Sequence, residues 1–171
     1  ITKTYSGKLN GNNHTIRNIE IDEQNGLINS LTGTVENLFV ENFKKTSAST
    51  YGGLIGQASG SPTIKNVHMT NVDINGGYSG GIVGYATYII ISDSSVTNFK
   101  VHISNTLYGV YIGGIIGYVN NVAYIQNCYV QDIDVEVLDT LKTTSVGAIA
   151  GRLSGGIIEN AYATGRINAN A

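Results

Sequence analysis

Gly113-Gly114-Ile115-Ile116-Gly117 is one copy of a short motif that recurs along the chain and decides its fold. Two other copies, Gly52–Gly56 and Gly80–Gly84, keep the same pattern of glycines around two apolar residues. Two degenerate copies, Gly147–Gly151 and Asn25–Asn29, have Ala or Asn in place of some of the glycines. Self-similarity at a period of roughly 30 residues is the signature of a protein that stacks one structural unit on another.

A second motif, Φ-x-Asn-Φ-x-Φ (Φ apolar), follows each copy of the first, as in Ile64–Met69 and Ile125–Val130. From Gly52 onward, the distance from the start of a glycine motif to the next Asn or Asp of this column is 13 or 14 residues. The distance from that residue to the following glycine motif varies from 14 to 20 residues. One half of each repeat therefore keeps a constant length, as a stacked core requires, and insertions are confined to surface loops in the other half.

Both motifs place apolar residues at a period of two, which indicates β-strands, and no segment shows a convincing helical period. A unit of this size with two or three short strands cannot bury its own apolar face, but a stack of such units can. Strands that recur in the same direction form parallel sheets, and their connections favour the right hand. The sequence therefore predicts an all-β fold, a right-handed parallel β-helix (β-solenoid) of about five coils.

We expect residues 1–171 to form a single β-solenoid domain, as a fragment of a larger protein. Residues 1–24 are predicted to be a lead-in coil, and the repeats run approximately over residues 25–51, 52–79, 80–112, 113–146 and 147–171. The chain starts at Ile1 and stops in the middle of a repeat pattern. Further domains are therefore expected to be covalently continuous with it.

The composition excludes several classes of protein. With 42% hydrophobic and 13% charged residues, the chain is neither a disordered tail nor a highly charged coiled coil. The net charge is −2 and the ten Lys and Arg residues are scattered, so no nucleic-acid binding is expected. No apolar run approaches the roughly 18–20 residues that cross a bilayer, so membrane insertion is not expected. Cys128 is the only cysteine, which rules out an internal disulfide and predicts a buried, inert thiol.

Carboxylates are the main candidates for chemistry. Asp132, Asp134 and Glu136 alternate along one predicted strand and share a face, which could bind Ca²⁺ or supply the acid pair of a polysaccharide-cleaving enzyme. A solvated outer face explains them more simply, because a catalytic pair needs an environment that perturbs one carboxyl and the sequence shows none. The three histidines have no second ligand at metal spacing. We therefore predict no catalytic residue, cofactor or metal, and leave open whether the acidic strand binds Ca²⁺.

Tyrosine is the most informative residue type, with 11 copies and no Trp in the chain. Two outward columns of aromatic side chains are predicted, Phe39, His68, Tyr129 and Tyr162 in one and Tyr85 and Tyr118 in the other. Aromatic columns can stack on sugar rings or form a protein-binding face, although Tyr is also favoured in ordinary strands. These six side chains are the candidate ligand-binding face, and a host glycan or protein is the candidate ligand.

The last repeat resembles a known family. Ile158-Glu159-Asn160-Ala161-Tyr162-Ala163-Thr164-Gly165, after the glycine motif at Gly147, is similar to the GLUG-type repeat of bacterial surface proteins. The lead-in segment Tyr5–Ile16 looks like the start of such arrays, and the resemblance covers essentially the whole chain. Such repeats occur in adhesin-like proteins and in the non-catalytic region of immunoglobulin A1 protease-type zinc metallopeptidases. The resemblance implies an extracellular or cell-surface location, and it transfers no catalytic residue because the zinc-binding His-Glu-x-x-His is absent here.

The predicted function is that of a non-catalytic β-solenoid segment of a bacterial cell-surface or secreted protein, serving as an adhesive surface or a rigid spacer. The alternative is an accessory domain of a secreted immunoglobulin A1 protease-like zinc metallopeptidase that positions substrate. A polysaccharide lyase or hydrolase is less favoured, and it requires Asp132, Asp134 and Glu136 to line a cleft.

Overall fold

A computed structural model describes residues 1–104, 109–138 and 143–169 of the chain. Within these ranges the backbone forms 14 β-strands and no helix. The strands are β1 (Thr4–Tyr5), β2 (Lys8–Ile21), β3 (Gly26–Leu31), β4 (Thr34–Ala58), β5 (Thr63–Gly80), β6 (Val83–Ser92), β7 (Ser95–Ser104), β8 (Val110–Gly113), β9 (Ile116–Gln126), β10 (Tyr129–Leu138), β11 (Thr144–Gly147), β12 (Ala150–Leu153), β13 (Gly156–Glu159) and β14 (Tyr162–Ala169). The described part of the chain has no helix with the length and apolar character needed to cross a membrane.

The strand pairs within the described ranges are parallel, and each residue pairs with one that lies 24 to 34 residues further along the chain. This spacing is the length of one predicted repeat, so successive repeats stack in the same direction. The structure confirms the predicted all-β parallel solenoid.

One run of strands carries the Asn column and is called the asparagine face. It consists of β2, β4, β5, β7, β10 and β14 in that order. The inward side chains of this face form aliphatic columns, of which Val40, Met69, Val96 and Val130 are one example, in register and buried. Each of these residues is the last apolar residue of a copy of the Φ-x-Asn-Φ-x-Φ motif. Each such side chain stabilises the fold by about 1.5–3 kcal/mol, because its apolar surface leaves water.

The Asn column marks a corner of the coil. Asn37, Asn66, Asp93, Asn127 and Asn160 have φ angles between 50° and 53°, the left-handed region that Asn and Asp tolerate better than other non-glycine residues. Their side chains also connect the coils, since Asn66 Nδ2 donates to Asn37 Oδ1 at 2.9 Å. Asn160 Nδ2 donates to Asn127 Oδ1 at 3.2 Å. The column therefore shapes the turn and ties the coils together along the solenoid.

Ile16–Ile21 is a further copy of the Φ-x-Asn-Φ-x-Φ motif, which predicts that Asn18 joins this column, and that prediction is wrong. Asn18 pairs instead with a second ladder further along the asparagine face, where Asn42 Nδ2 donates to Asn18 Oδ1 at 2.8 Å. Asn71 and Asn98 continue that ladder at 2.9 and 2.7 Å. The lead-in coil is shorter than the later ones, so Ile16 lies against Val40 rather than against the residue that begins the next copy of the motif.

Candidate functional site

Five tyrosines form a continuous group on the outside of the solenoid, called here the tyrosine cluster: Tyr51, Tyr78, Tyr85, Tyr111 and Tyr118. Three of them stand in register on the strands before the glycine motif, Tyr51 on β4, Tyr78 on β5 and Tyr111 on β8. The other two stand in register on the strands after it, Tyr85 on β6 and Tyr118 on β9. The cluster is therefore two columns of rings that face one another across a turn.

The glycine motif brings these two columns together. A Cβ on Gly117 would lie 2.8 Å from the carbonyl oxygen of Tyr111, and a Cβ on Gly84 would lie 2.8 Å from that of Tyr78. Only glycine allows the strands on either side of the turn to approach so closely. As a result, the ring centroids of Tyr111 and Tyr118 are 4.9 Å apart and stacked, although the two residues lie on different strands.

The rings are half-buried and in mutual contact. Neighbouring centroids are 4.9 to 6.5 Å apart, in stacked, tilted and edge-on arrangements that aromatic quadrupoles favour. Burial, and after it the neighbouring phenols, raises the pKa of Tyr78 above its usual value. Like an ordinary tyrosine, it keeps its proton at neutral pH, and its hydroxyl can donate a hydrogen bond.

The guanidinium of Arg152 lies at one end of the cluster. Arg152 on β12 is in register with Tyr118, and its guanidinium carbon lies 5.2 Å from the centroid of that ring and 5.7 Å from that of Tyr111. One of its amino groups donates to Tyr111 Oη at 3.4 Å. A cation over two rings contributes about 0.5–1 kcal/mol at an exposed site. It also places a positive charge beside a polar aromatic surface.

The first predicted column is interrupted. Phe39, His68, Tyr129 and Tyr162 lie at equivalent positions of successive coils, but Ser95 separates His68 from Tyr129. The column therefore consists of two stacked pairs. Phe39 and His68 have centroids 5.1 Å apart, and Tyr129 and Tyr162 have centroids 5.3 Å apart.

His68 is a structural side chain. Its Nε2 lies 2.9 Å from Asn66 Oδ1, and its Nδ1 lies 2.7 Å from Ser95 Oγ. Because the amide oxygen can only accept, Nε2 carries the ring proton and Nδ1 accepts from the serine hydroxyl. Burial lowers the pKa of His68, which keeps the ring neutral. Both ring nitrogens are thus engaged in holding the corner of the coil.

The acidic strand takes part in ladders of charge. Asp134 on β10 lies between Lys100 and Arg166 in the stack, and its Oδ1 accepts from Arg166 at 2.8 Å. This hydrogen bond is the main reason that the pKa of Asp134 is lowered. Glu136 contacts His102 on the neighbouring coil at 3.4 Å. A general acid must hold its proton, and Asp134 is instead held as the anion.

Within the described residues, no group of three or more His, Cys, Asp or Glu side chains is placed to hold a metal ion. The predicted burial of Cys128 is confirmed, and burial raises the pKa of its thiol to about 11. A thiol that keeps its proton at neutral pH is a poor nucleophile.

Tyr51, Tyr78 and Tyr111 were not among the side chains singled out from the sequence. Tyr78 and Tyr111 each stand two residues before a Gly-Gly pair, which is a signal that the repeats do contain. Tyr51 stands only one residue before its pair, because Gly52 is in register with Ser79 rather than with Gly80. Alignment of the glycine motifs alone therefore shifts Tyr51 out of its column.

Comparison with known proteins agrees with the repeat. A family model described as the GLUG motif matches residues 75–101 and 143–168. Halomucin of Haloquadratum walsbyi is 34% identical over 91 residues, which are 50% of this chain and 1% of the relative. Immunoglobulin A1 protease of Streptococcus sanguinis is 28% identical over 170 residues, 96% of this chain and 9% of the relative. That of Streptococcus pneumoniae is 28% identical over 178 residues, 98% of this chain and 9% of the relative.

The chain spans a tenth or less of the length of these relatives. No solved structure matches it significantly. The motif match in two separate coils, the recurrence of the same residues in the others and the parallel stacking all agree. Residues 75–101 and 143–168 are therefore GLUG motifs, and both lie in the coils of a parallel β-solenoid.

Proposed function

We propose that the chain is a non-catalytic, extracellular region of a bacterial surface or secreted protein, and that its tyrosine cluster binds a host glycan. The observation that carries this proposal is the continuous surface of five half-buried rings, with neighbouring centroids 4.9 to 6.5 Å apart. The faces and edges of such rings pack against the C–H groups of a sugar, and the phenol hydroxyls hydrogen-bond to its hydroxyls.

The packing of the cluster favours binding in a second way. Each ring is held by its neighbours and by a strand of the solenoid, so little side-chain freedom remains to be lost when a ligand arrives. Arg152 adds a positive charge at one end, beside Tyr111 and Tyr118. A carboxylate or sulfate on the glycan would be recognised there. The solenoid serves at the same time as the rigid spacer that presents this surface.

Binding of the purified chain to a glycan array tests the proposal. We expect selective binding that is lost in the Tyr78→Ala/Tyr118→Ala double variant. Tyr129→Ala/Tyr162→Ala is the matched control, because it also removes two contacting tyrosines from the outside of the solenoid. Thermal unfolding of each variant shows that it is folded. Loss of binding in the control alone would move the site to the column of Phe39, His68, Tyr129 and Tyr162, and no binding to any glycan would leave only the spacer role.

A second candidate function rests on the similarity to immunoglobulin A1 proteases, which extends over 96% to 98% of this chain. In that case the region is an accessory domain of a secreted zinc metallopeptidase, and it positions the immunoglobulin for cleavage elsewhere in the protein. Surface plasmon resonance with immobilised immunoglobulin A1 tests this function. Saturable binding to the protein chain after enzymatic removal of its glycans would support it, and no binding to either form would rule it out.

A further inference from the structure

A second exposed surface lies apart from the tyrosine cluster, and it is apolar. It is formed by the outward side chains of β6, β9 and β13 and is called here the apolar stripe: Tyr88, Ile90, Val122, Tyr124 and Ile157. Ile90, Tyr124 and Ile157 stand in one column, with 41%, 44% and 49% of their surfaces exposed. A contiguous apolar patch on a folded protein marks a surface that binds another molecule.

These side chains are not part of the interior of the solenoid. Along β6, Ile89 and Ile91 are buried, whereas Tyr88 and Ile90, which alternate with them, point outward. The same strand is therefore apolar on both sides. A strand that faces water on one side normally alternates apolar and polar residues, so the outer side of β6 and β9 is unusual. The preceding coils keep the normal pattern, because Thr34 and Thr63 occupy the equivalent positions.

A column of polar and charged side chains runs beside the stripe: Lys65, Ser92, Gln126 and Glu159, one on each of four successive coils. The order is positive, polar, polar, negative. A rotation that reverses the order of the coils places the positive end over the negative end. The column is therefore complementary to a second copy of itself.

We propose that the apolar stripe docks face to face onto the same stripe of a second copy of this chain. The two-fold axis runs along the strand direction, between β6 and β9. It places Ile90 against Tyr124 of the second copy and Thr63 against Ile157. Lys65 of each copy then lies opposite Glu159 of the other, so the interface contains two ion pairs across it. Contacts of this kind, in which the same patch serves on both sides, are typical of two-fold dimers.

The size of the patch sets the strength of the pair. Four parallel strands at about 4.8 Å spacing span roughly 15 Å, which is less than a standard interface requires. The dimer is therefore weak and reversible in solution. The axis also reverses the direction of the solenoid, so the two copies point in opposite directions.

Sedimentation equilibrium of the chain, at concentrations up to about 1 mM, tests the proposal. We expect the apparent mass to rise toward that of a dimer in the wild type and to remain that of a monomer in Tyr124→Lys. Tyr162→Lys is the matched control, since Tyr162 is an exposed tyrosine outside the stripe. A wild type that stays monomeric over the whole range, or a dimer that survives Tyr124→Lys, would overturn the proposal.

Charge reversal tests the orientation. Lys65→Glu and Glu159→Lys each put like charges opposite one another at two places, and each should weaken the dimer about tenfold or more. The double variant Lys65→Glu/Glu159→Lys restores opposite charges and should recover the wild-type association. If the double variant dimerises no better than the single ones, the two copies do not meet in this orientation. Glycan binding at the tyrosine cluster should be the same in all of these variants.

Discussion

Lys45 stands in a column of aliphatic side chains at the end of the asparagine face. It pairs with Ile21 on one side and Ile74 on the other, and only 1% of its surface is exposed. Burial lowers its pKa from the usual 10.5 to about 8, against a smaller opposing effect of Asp22. The unfolded chain therefore holds this proton over a pH range in which the folded chain has released it.

The free energy of unfolding should consequently rise between pH 8 and pH 10.5, because the unfolded state binds more protons there. Chemical unfolding at a series of pH values measures this rise, and Lys45→Met should reduce it. Lys3→Met is the control, because it removes one positive charge from an exposed position and not from a buried one. Equal pH dependence in the two variants would show that Lys45 is not responsible.

Gly114 illustrates how tightly the coils meet at the glycine motif. A Cβ at this position would lie 2.6 Å from the carbonyl oxygen of Ala148 and 2.6 Å from Cγ1 of Val130. Gly114→Ala should therefore lower the free energy of unfolding by about 1–3 kcal/mol, as overpacking of a core does. In Gly109→Ala the nearest contact would be an ordinary 3.4 Å, so this control should differ little from the wild type in urea unfolding. A similar loss in both variants would contradict this explanation.

At the scale of the element, the two asparagine ladders combine a backbone role with a hydrogen-bonding role. Asn71 has a φ angle of 56°, donates to Asn42 at 2.9 Å and accepts from Asn98 at 2.7 Å. Asn71→Gly removes the amide but keeps the backbone relaxed, whereas Asn71→Ala also places a Cβ in the left-handed region. We expect the Ala variant to be less stable than the Gly variant by about 1 kcal/mol in urea unfolding. The reverse order would show that backbone strain is not what selects Asn here.

The repeat was readable from the sequence because its period, its strand alternation and its turn residues all indicate the same architecture. Val40, Met69 and Val96 occupy equivalent positions of successive repeats, and they form one inward column in the structure. Register was harder to predict where a coil changes length. Asn18 lies in a different ladder from the one that its motif predicts, because the lead-in coil is short. The register of Tyr51 differs by one residue from an alignment of the glycine motifs. The register between two paired strands can shift only by whole residues. One residue inserted in a loop therefore changes which side chains lie opposite one another.

At the scale of the whole molecule, one exposed column runs the length of the asparagine face with charges of alternating sign. Its members, in coil order, are Glu20, Lys44, Asp73, Lys100, Asp134 and Arg166. Each charge has an opposite charge above or below it. Single exposed pairs of this kind contribute little, but the order in which they stack constrains how coils can be combined.

A deletion of residues 57–84 joins Gly56 to Tyr85 in register and removes one coil, which places Lys44 directly against Lys100. A deletion of residues 57–117 joins Gly56 to Tyr118 and removes two coils, which places Lys44 against Asp134. Added salt screens repulsion, so the melting temperature of the first variant should rise with salt at low ionic strength. The melting temperature of the second variant should not rise in this way. The same salt response in both variants would show that the stacked charges do not determine how the coils combine.

Because the sign of the charge alternates from coil to coil, an even change in the number of coils differs in its effect from an odd change. Removing or duplicating two adjacent coils preserves the match of charges, whereas changing the number by one brings like charges together. Arrays that grow or shrink by recombination between their own repeats would be expected to do so most easily in even steps. A column of surface charges would then favour arrays whose lengths differ by an even number of coils.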